Sequence, residues 1–387
     1  GGVLNIAPAT ATFPAGQAAI QGRIDLGASE IDTGFQAQYD RWAEAAGIEV
    51  EEQAPLLLDG AWRGPLSSAV LDLSAMLGEA RLLESQWRIA LTETASVEGD
   101  YQAWPAPPLA PEQAGDLFED GISGNIRLNR NREGVFSIAS GSLSGGGLKL
   151  EGNGSFDPAA PVLQAHLRME VEDPAAFDDF IQTPLPENMV LTADLRANDT
   201  ASSFSIGLDA GSLAFEDLRI EGVQGRAQGE AAGFRDRFAA LEVTADGAIT
   251  GLAYPPMPPG DWRVAIEANA ASLDDVQLQR FVITDNNLAL HATGTVSPGT
   301  MTGSGNLSLM AADLAPVAAL FDQAVAGSFE LHSQVTLPGD GLPLHAVLDG
   351  KWSGLAGLPE AATALLGPQG ALSAALMRRA GTDGHCP

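Results

Sequence analysis

The chain has 387 residues, 45% of them hydrophobic but only 6% aromatic, so apolar surface is ample while the large rings that fill a thick globular core are few. Acidic side chains outnumber basic ones 50 to 20, and the net charge of -30 opposes docking on nucleic acid or on an anionic membrane surface and keeps a β-rich protein soluble. The single cysteine, Cys386, rules out an internal disulfide but not an oxidising compartment such as a bacterial periplasm.

Residues 1–104 read as an N-terminal β-rich segment. The start Gly1-Gly2-Val3 has neither methionine nor signal peptide and reads as an internal piece of a longer protein. A proline cluster from Trp104 to Pro111 marks a soft boundary, because proline cannot donate to a sheet ladder. Residues 112–253 then form a first strand-helix-strand segment, and 260–379 a second, separated by the cluster from Tyr254 to Pro259. Residues 380–387 break the pattern and read as an irregular tail or a reading-frame artefact.

Strands recur along these segments. Ile126 and Leu128 alternate with Asn125, Arg127 and Asn129. Leu148, Leu150 and Phe156 alternate with Lys149, Glu151, Asn153 and Ser155, with Gly152 and Gly154 at the inner positions between them. The clearest case is Leu163 to Glu172, where Leu163, Ala165, Leu167, Met169 and Val171 alternate without error against Gln164, His166, Arg168, Glu170 and Glu172. Leu191, Ala193 and Leu195 follow, then Phe204, Ile206 and Leu208, and Leu241, Val243 and Ala245. Further on come Trp262, Val264 and Ile266, then Leu288 and Leu290, and finally Phe329, Leu331, Ser333, Val335 and Leu337. Gly, Asp, Asn or Pro fill most connections, as short hairpins require.

Helical signal is sparse. Pro174 to Ile181 puts Phe177, Phe180 and Ile181 on one face behind an Asp173 N-cap. Leu314 to Gln323 repeats this with Val317, Leu320 and Phe321 behind Asp313, at an offset of 140 residues. A third short helix is predicted over Pro359 to Leu366. A unit of strand, Asp, short helix and hairpins that returns once points to a stacked array.

Motifs of chemistry are absent. Gly350-Lys351 is followed by Trp352, so there is no P-loop, and no G-x-S-x-G, HExxH or CxxC occurs. Gly145-Gly146-Gly147 lacks the aspartate of calcium-binding repeats and reads as a turn. His166, His291 and His332 fall on the polar phase of their strands, and with His345 and His385 they lack metal-ligand spacing. Asp178-Asp179 reads as a wet helix face rather than a glycosidase pair. The scattered Trp42, Trp62, Trp87, Trp104, Trp262 and Trp352 fit packing better than a sugar platform. No catalytic residue, metal ligand or cofactor is therefore predicted.

The fold expected is mainly all-β: an elongated, curled antiparallel sheet, taco-like, forming a hydrophobic groove with a few short amphipathic helices. Those helices are too small to cover so many strands, and an apolar face far above roughly 400 Å² aggregates unless something occupies it. Phospholipid acyl chains would fill the crease. The expected lining is Leu148, Leu150, Leu163, Leu167, Met169, Val171, Leu191, Leu195, Phe204, Ile206, Leu208, Val264, Ile266, Leu288, Leu290, Phe329, Leu331, Val335 and Leu337.

Ala312 to Leu331 (ADLAPVAALFDQAVAGSFEL), Val335 to Gly350 and Gly354 to Leu376 resemble the TamB family of translocation and assembly module subunits, within the wider AsmA-like group of bacterial envelope proteins. The shared pattern is a strand ending in Asp-Leu, a short Ala/Leu/Pro helix, Ala-Gly-Ser and an alternating strand, and it covers Leu163 to Leu376 best. The resemblance implies a periplasmic β-groove anchored in the inner membrane, with roles in phospholipid movement between membranes and in outer-membrane protein assembly. It also implies an outer-membrane barrel partner, TamA, although the family's membrane anchor and partner-contacting region have no counterpart in these residues. The rival readings are a dry-packed β-solenoid or sandwich of a bacterial surface adhesin, and a carbohydrate-active β-solenoid. Adhesins favour Thr/Asn ladders and compact repeats of about 20 to 30 residues. A glycan site gathers tryptophans and carboxylates on one face.

Overall fold

The structure is a computed structural model. It describes all residues except 1, 47–53, 66, 92, 106–116, 179, 180, 182, 183, 233–239, 256, 273, 274, 298, 320–322, 339–343, 359 and 379–387. Phe180, Asp179, Leu320, Phe321, Pro359, His385 and Cys386, singled out in the sequence, lie outside the described residues. The fold is all-β, with 73% of the chain in strands and only a few short helices. Two compact units divide it, Gly1–Leu185 and Pro186–Pro387.

The first unit is an antiparallel meander. β1 (Val3–Phe13), β2 (Gly16–Asp25), β3 (Glu30–Tyr39), β4 (Leu56–Pro65), β5 (Ala69–Leu77) and β6 (Ala80–Leu91) each pair with the next. The ladder continues through β7 (Ala95–Ala103), β8 (Ile122–Arg130), β9 (Phe136–Gly145), β10 (Leu148–Asp157) and β11 (Val162–Val171). The glycine run is the β9–β10 turn. Gly146 and Gly147 have φ of 58° and 74°, as a tight two-residue hairpin of this hand needs at both central positions. A helix, α1 (Trp42–Ala46), closes one end of the neighbouring strands: Trp42, Ala43 and Leu77 form a buried cluster against Tyr39, Leu56 and Leu82. The Trp42 indole donates to the Ala54 carbonyl at 2.9 Å, so its polar edge is satisfied.

The second unit repeats the plan. β12 (Met189–Ala197) pairs with β13 (Ala201–Ala210), and a side hairpin of β14 (Leu213–Phe215) and β15 (Leu218–Ile220) follows. β13 then pairs with β16 (Gly222–Ala232), which passes the ladder to β17 (Leu241–Tyr254) and β18 (Met257–Ser272). β19 (Asp275–Thr284), β20 (Leu288–Ser297), β21 (Thr302–Ala311), β22 (Ala326–Pro338), β23 (Leu344–Ala356) and β24 (Gln369–Arg378) complete it. Two helices lie at one end of these strands, α2 (Ala315–Ala319) after β21 and α3 (Glu360–Leu366) after β23. Helix α2 touches both β22 and β18, strands four apart in the ladder, so the sheet bends around it.

The third predicted helix is present as α3, and the second is helical over Ala315–Ala319. Over Pro174–Phe177 the chain forms one 3-10 turn, with a further bond from the Ile181 N–H to the Phe177 carbonyl. Both repeat copies are capped as expected. Asp173 Oδ1 accepts from the Ala175 N–H at 3.2 Å, and Asp313 Oδ1 from the Ala315 N–H at 3.0 Å. Each copy is also tied to the turn preceding its hairpin partner: the Glu172 N–H bonds to the Gly147 carbonyl, and the Asp313 N–H to Asn287 Oδ1. Asp313→Ala is expected to cost about 1 kcal/mol. The readout is faster hydrogen exchange at Asp313 and Ala315 with the β20–β21 ladder unchanged; unchanged exchange at Ala315 would show the cap to be idle.

Burial is thin throughout. No large side chain is fully buried among the described residues, and the accessible surface is 24258 Å². Two separate compact globules, each of half this mass, would expose only about 17,000 Å² together. Sheets with an uncovered face contribute to that excess.

Candidate functional site

The cross-strand register decides which side chains share a face, because partners in a ladder point the same way. In the first unit the rows across β8, β9, β10 and β11 read Gly124, Leu143, Leu150 and Met169; Ile126, Gly141, Gly152 and Leu167; Leu128, Ile138, Gly154 and Ala165; Arg130, Phe136, Phe156 and Leu163. Leu148 pairs with Val171 in the next row. The six lining residues predicted in this unit are therefore on one face. Val171 is the exception in exposure: at 3% it offers no surface to a ligand.

The same test applies to the second unit. Leu191, Leu208, Gly225, Gly247, Val264, Ile283, Leu290, Leu309, Leu331, Gly350 and Leu372 form one row from β12 to β24. Leu195, Phe204, Ile206 and Ile266 lie in adjacent rows of that face, as do Leu288, Phe329, Val335 and Leu337. Leu167, Ile206 and Leu337 are exposed, and the other predicted lining residues apart from Val171 are half-buried.

Sequence reasoning missed part of this face, and the reason is local. β9 carries a bulge opposite Arg127 and Leu128, so Ile138 and Gly141, three residues apart, both face the apolar side. β19 does the same with Leu278 and Phe281. A strict two-residue period puts each pair on opposite faces.

Glycines on the apolar face lie under large neighbours. A Cβ on Gly99 would sit 2.3 Å from the Trp87 ring, one on Gly60 2.2 Å from Phe35, one on Gly229 2.6 Å from Phe204, and one on Gly370 2.4 Å from Trp352. Each is a direct cross-strand pair. The rings lie over the glycines, covering backbone that would otherwise be bare and keeping the face low. The same holds for Leu167, which covers Gly152.

The face is concave between β8 and β11. A cavity of 570 Å³ there is lined by Leu128, Phe136, Ile138, Leu143, Leu150, Phe156, Leu163 and Leu167, among others. That volume is within the roughly 300–1,000 Å³ of sites that hold small ligands. Five of the lining side chains, Leu128, Phe136, Ile138, Phe156 and Leu167, are 37–50% exposed, so they cluster in solvent rather than pack into a core.

The opposite face is polar and laced across strands. Arg127 hydrogen-bonds Glu98 and holds that carboxyl below its ordinary range. A depressed carboxyl favours the fold above its unfolded pKa, and that contribution fades as pH falls through the lowered value. Gln86 Nε2 donates to Asp72 at 2.8 Å, Asn125 Nδ2 to Ser142 Oγ at 2.8 Å, and Arg280 pairs with Glu267 at 3.0 Å. A shallow trough of 880 Å³ on this face is lined by Asp59, Asp72, Gln86, Asp100 and Asn125. Trp62 and Trp87 lie on the other face, so the aromatic rings and carboxylates that a glycan site needs together are separated by the sheet. His291 and His332 are exposed on the polar side, and His332 pairs with Glu330 at 2.8 Å. Among the described residues no group of His, Cys, Asp and Glu is placed to hold a metal, and no helix is long and apolar enough to cross a membrane.

No protein-family model matches this chain, and neither a curated protein nor a solved structure is found to be similar to it.

Proposed function

We propose that the apolar sheet faces shield phospholipid acyl chains, as a non-catalytic periplasmic segment of a TamB/AsmA-like protein that moves lipid between the inner and outer membranes and supports outer-membrane protein assembly. The observation that carries this reading is the cluster of exposed large side chains around the 570 Å³ cavity, on a face that no helix covers among the described residues. Burying a methylene is worth about 0.8 kcal/mol, so a sixteen-carbon tail gains on the order of 12 kcal/mol wherever it finds an apolar surround. A groove need only match what a bilayer offers. Leucine, isoleucine, valine, alanine and glycine line the rows with few polar interruptions, so a hydrocarbon tail can slide along the face. The acidic outer surface, at a net charge of -30, keeps the polar face wet.

The test is to purify the chain from bacterial membranes under mild conditions and to combine native mass spectrometry with lipid extraction. Several phospholipids co-purifying per chain is the expected result. A lipid-free, monodisperse chain that also fails to take up an acyl fluorophore would sink the reading and favour a dry-packed adhesin-type array.

A further inference from the structure

One arginine is stacked on a side chain that lines the β8–β11 cavity. Arg130 ends β8 on the apolar face, in the row that runs through Phe136, Phe156 and Leu163 into the cavity. Its guanidinium carbon is 5.6 Å from the Phe136 ring centroid, within cation–π range. The turn that follows is held in place: the Val135 N–H bonds Asn131 Oδ1 at 2.9 Å, and the Asn131 N–H bonds the Val135 carbonyl at 3.0 Å. Arg130 and Phe136 therefore flank an ordered hairpin, and the guanidinium is aligned over the ring rather than waving in solvent.

The charge environment is strongly acidic. Acidic side chains outnumber basic ones 50 to 20, and Arg23, Arg41, Arg63, Arg81, Arg127, Arg132, Arg168 and Arg280 all reach a carboxylate. Arg130, like Arg88, Arg196, Arg219, Arg226 and Arg263, has no carboxylate partner among the described residues, but it is the one of these that stacks on a ring lining the apolar cavity. Its exposed guanidinium therefore lies against a ring of the apolar cavity with no carboxylate to neutralise it. A ligand complementary to both features has a hydrocarbon tail and an anionic head.

We propose that Arg130 binds the phosphate of an acyl lipid whose tail lies in the cavity between β8 and β11. This inference rests on the acyl-chain reading above and names the head chemistry of that site. A planar guanidinium forks two N–H donors onto two phosphate oxygens, and stacking on Phe136 orients that fork beforehand. Lysine supplies the charge without the fork. The arrangement gives the lipid a polarity in the groove, head at the hairpin end of β8 and tail across β9, β10 and β11.

The test measures displacement of an acyl fluorophore from the full chain by dodecyl phosphate and by uncharged dodecyl maltoside, both kept as monomers. Wild type is expected to prefer the phosphate by roughly fivefold. In Arg130→Gln that preference disappears while dodecyl maltoside binds as before, and Arg130→Lys falls between. Arg130 is exposed, so the variant keeps its fold, which an unchanged circular dichroism spectrum checks. A preference fully retained in Arg130→Gln would overturn the head-group assignment and leave the groove reading standing. Failure of both surfactants to displace the fluorophore from wild type would overturn the groove reading itself. Inorganic phosphate binding as tightly as dodecyl phosphate would mean a free-anion site instead.

Discussion

A photoreactive residue at position 150 is expected to label phospholipid acyl chains in wild-type background and to lose that labelling at least roughly tenfold in Leu167→Asp. Leu167 lies over Gly152, whose other neighbour in the row is Gly141, so no large side chain of β9 or β10 shares that part of the cavity floor with it. An aspartate there puts a carboxylate where the acyl chain would lie. Each about 1.4 kcal/mol of lost affinity is a factor of ten, and desolvating a carboxylate under an acyl chain costs several kcal/mol. The fold is expected to survive. Leu167 is 46% exposed, so its replacement removes little burial and the stability change stays within about 1 kcal/mol. Ile206→Asp, at 40% exposure in the second unit, is expected to act in the same way on a probe at position 195. The control is Gln164→Asp, one strand position set on the polar side opposite Ser155, where labelling should stay at the wild-type level. Wild-type labelling in both Leu167→Asp and Ile206→Asp would remove these faces from any lipid path.

How much of this was legible in the chain depends on the local pattern. β11 follows the perfect alternation from Leu163 almost residue for residue, because nothing interrupts its two-residue period. β10, β12, β13 and β22 were readable for the same reason. In β4 the sequence LLLDGAWRGP opens on three leucines, so its phase is ambiguous until the pairing of Leu58 with Ala37 fixes it. The hairpin of β14 and β15 has strands of three residues, too short for any period to register. Bulges concealed Ile138 and Phe281 from the lining. The ring-over-glycine pairs were beyond reach for a different reason: Trp87 and Gly99 become neighbours only through the β6–β7 register, which the length of the turn between them sets. Alternation therefore revealed each strand's apolar side, whereas what touches what across strands had to come from the fold. Arg130 shows the cost most plainly. In sequence it is one polar residue at a strand end; in the ladder it is the cation of an apolar row.

Those glycine pairs make the sharpest stability prediction, because two general rules give opposite signs. Strand propensity favours valine over glycine by up to about 1 kcal/mol, so Gly→Val in a strand should stabilise. At Gly99 the space is already taken. A Cβ would lie 2.3 Å from Trp87 Cε3 and 2.7 Å from the Gln86 carbonyl oxygen, and the Trp87 indole cannot swing away freely while its N–H donates to Ser85 Oγ at 2.9 Å. Overpacking of this kind costs about 1–3 kcal/mol and outweighs propensity. Gly99→Val is therefore expected to destabilise β6 and β7 by about 2 kcal/mol. Gly34 in β3 provides the matched contrast: a Cβ there meets only the Gly60 carbonyl, at 3.8 Å, so Gly34→Val is expected to be neutral or mildly stabilising. Native-state hydrogen exchange on the full chain separates the two, since it reads each ladder locally and does not require the molecule to unfold in one step. Protection across β6 and β7 that is equal to or greater than wild type in Gly99→Val would show that Trp87 can leave its place at no cost. The ring would then be a mobile occupant of the groove rather than part of its floor.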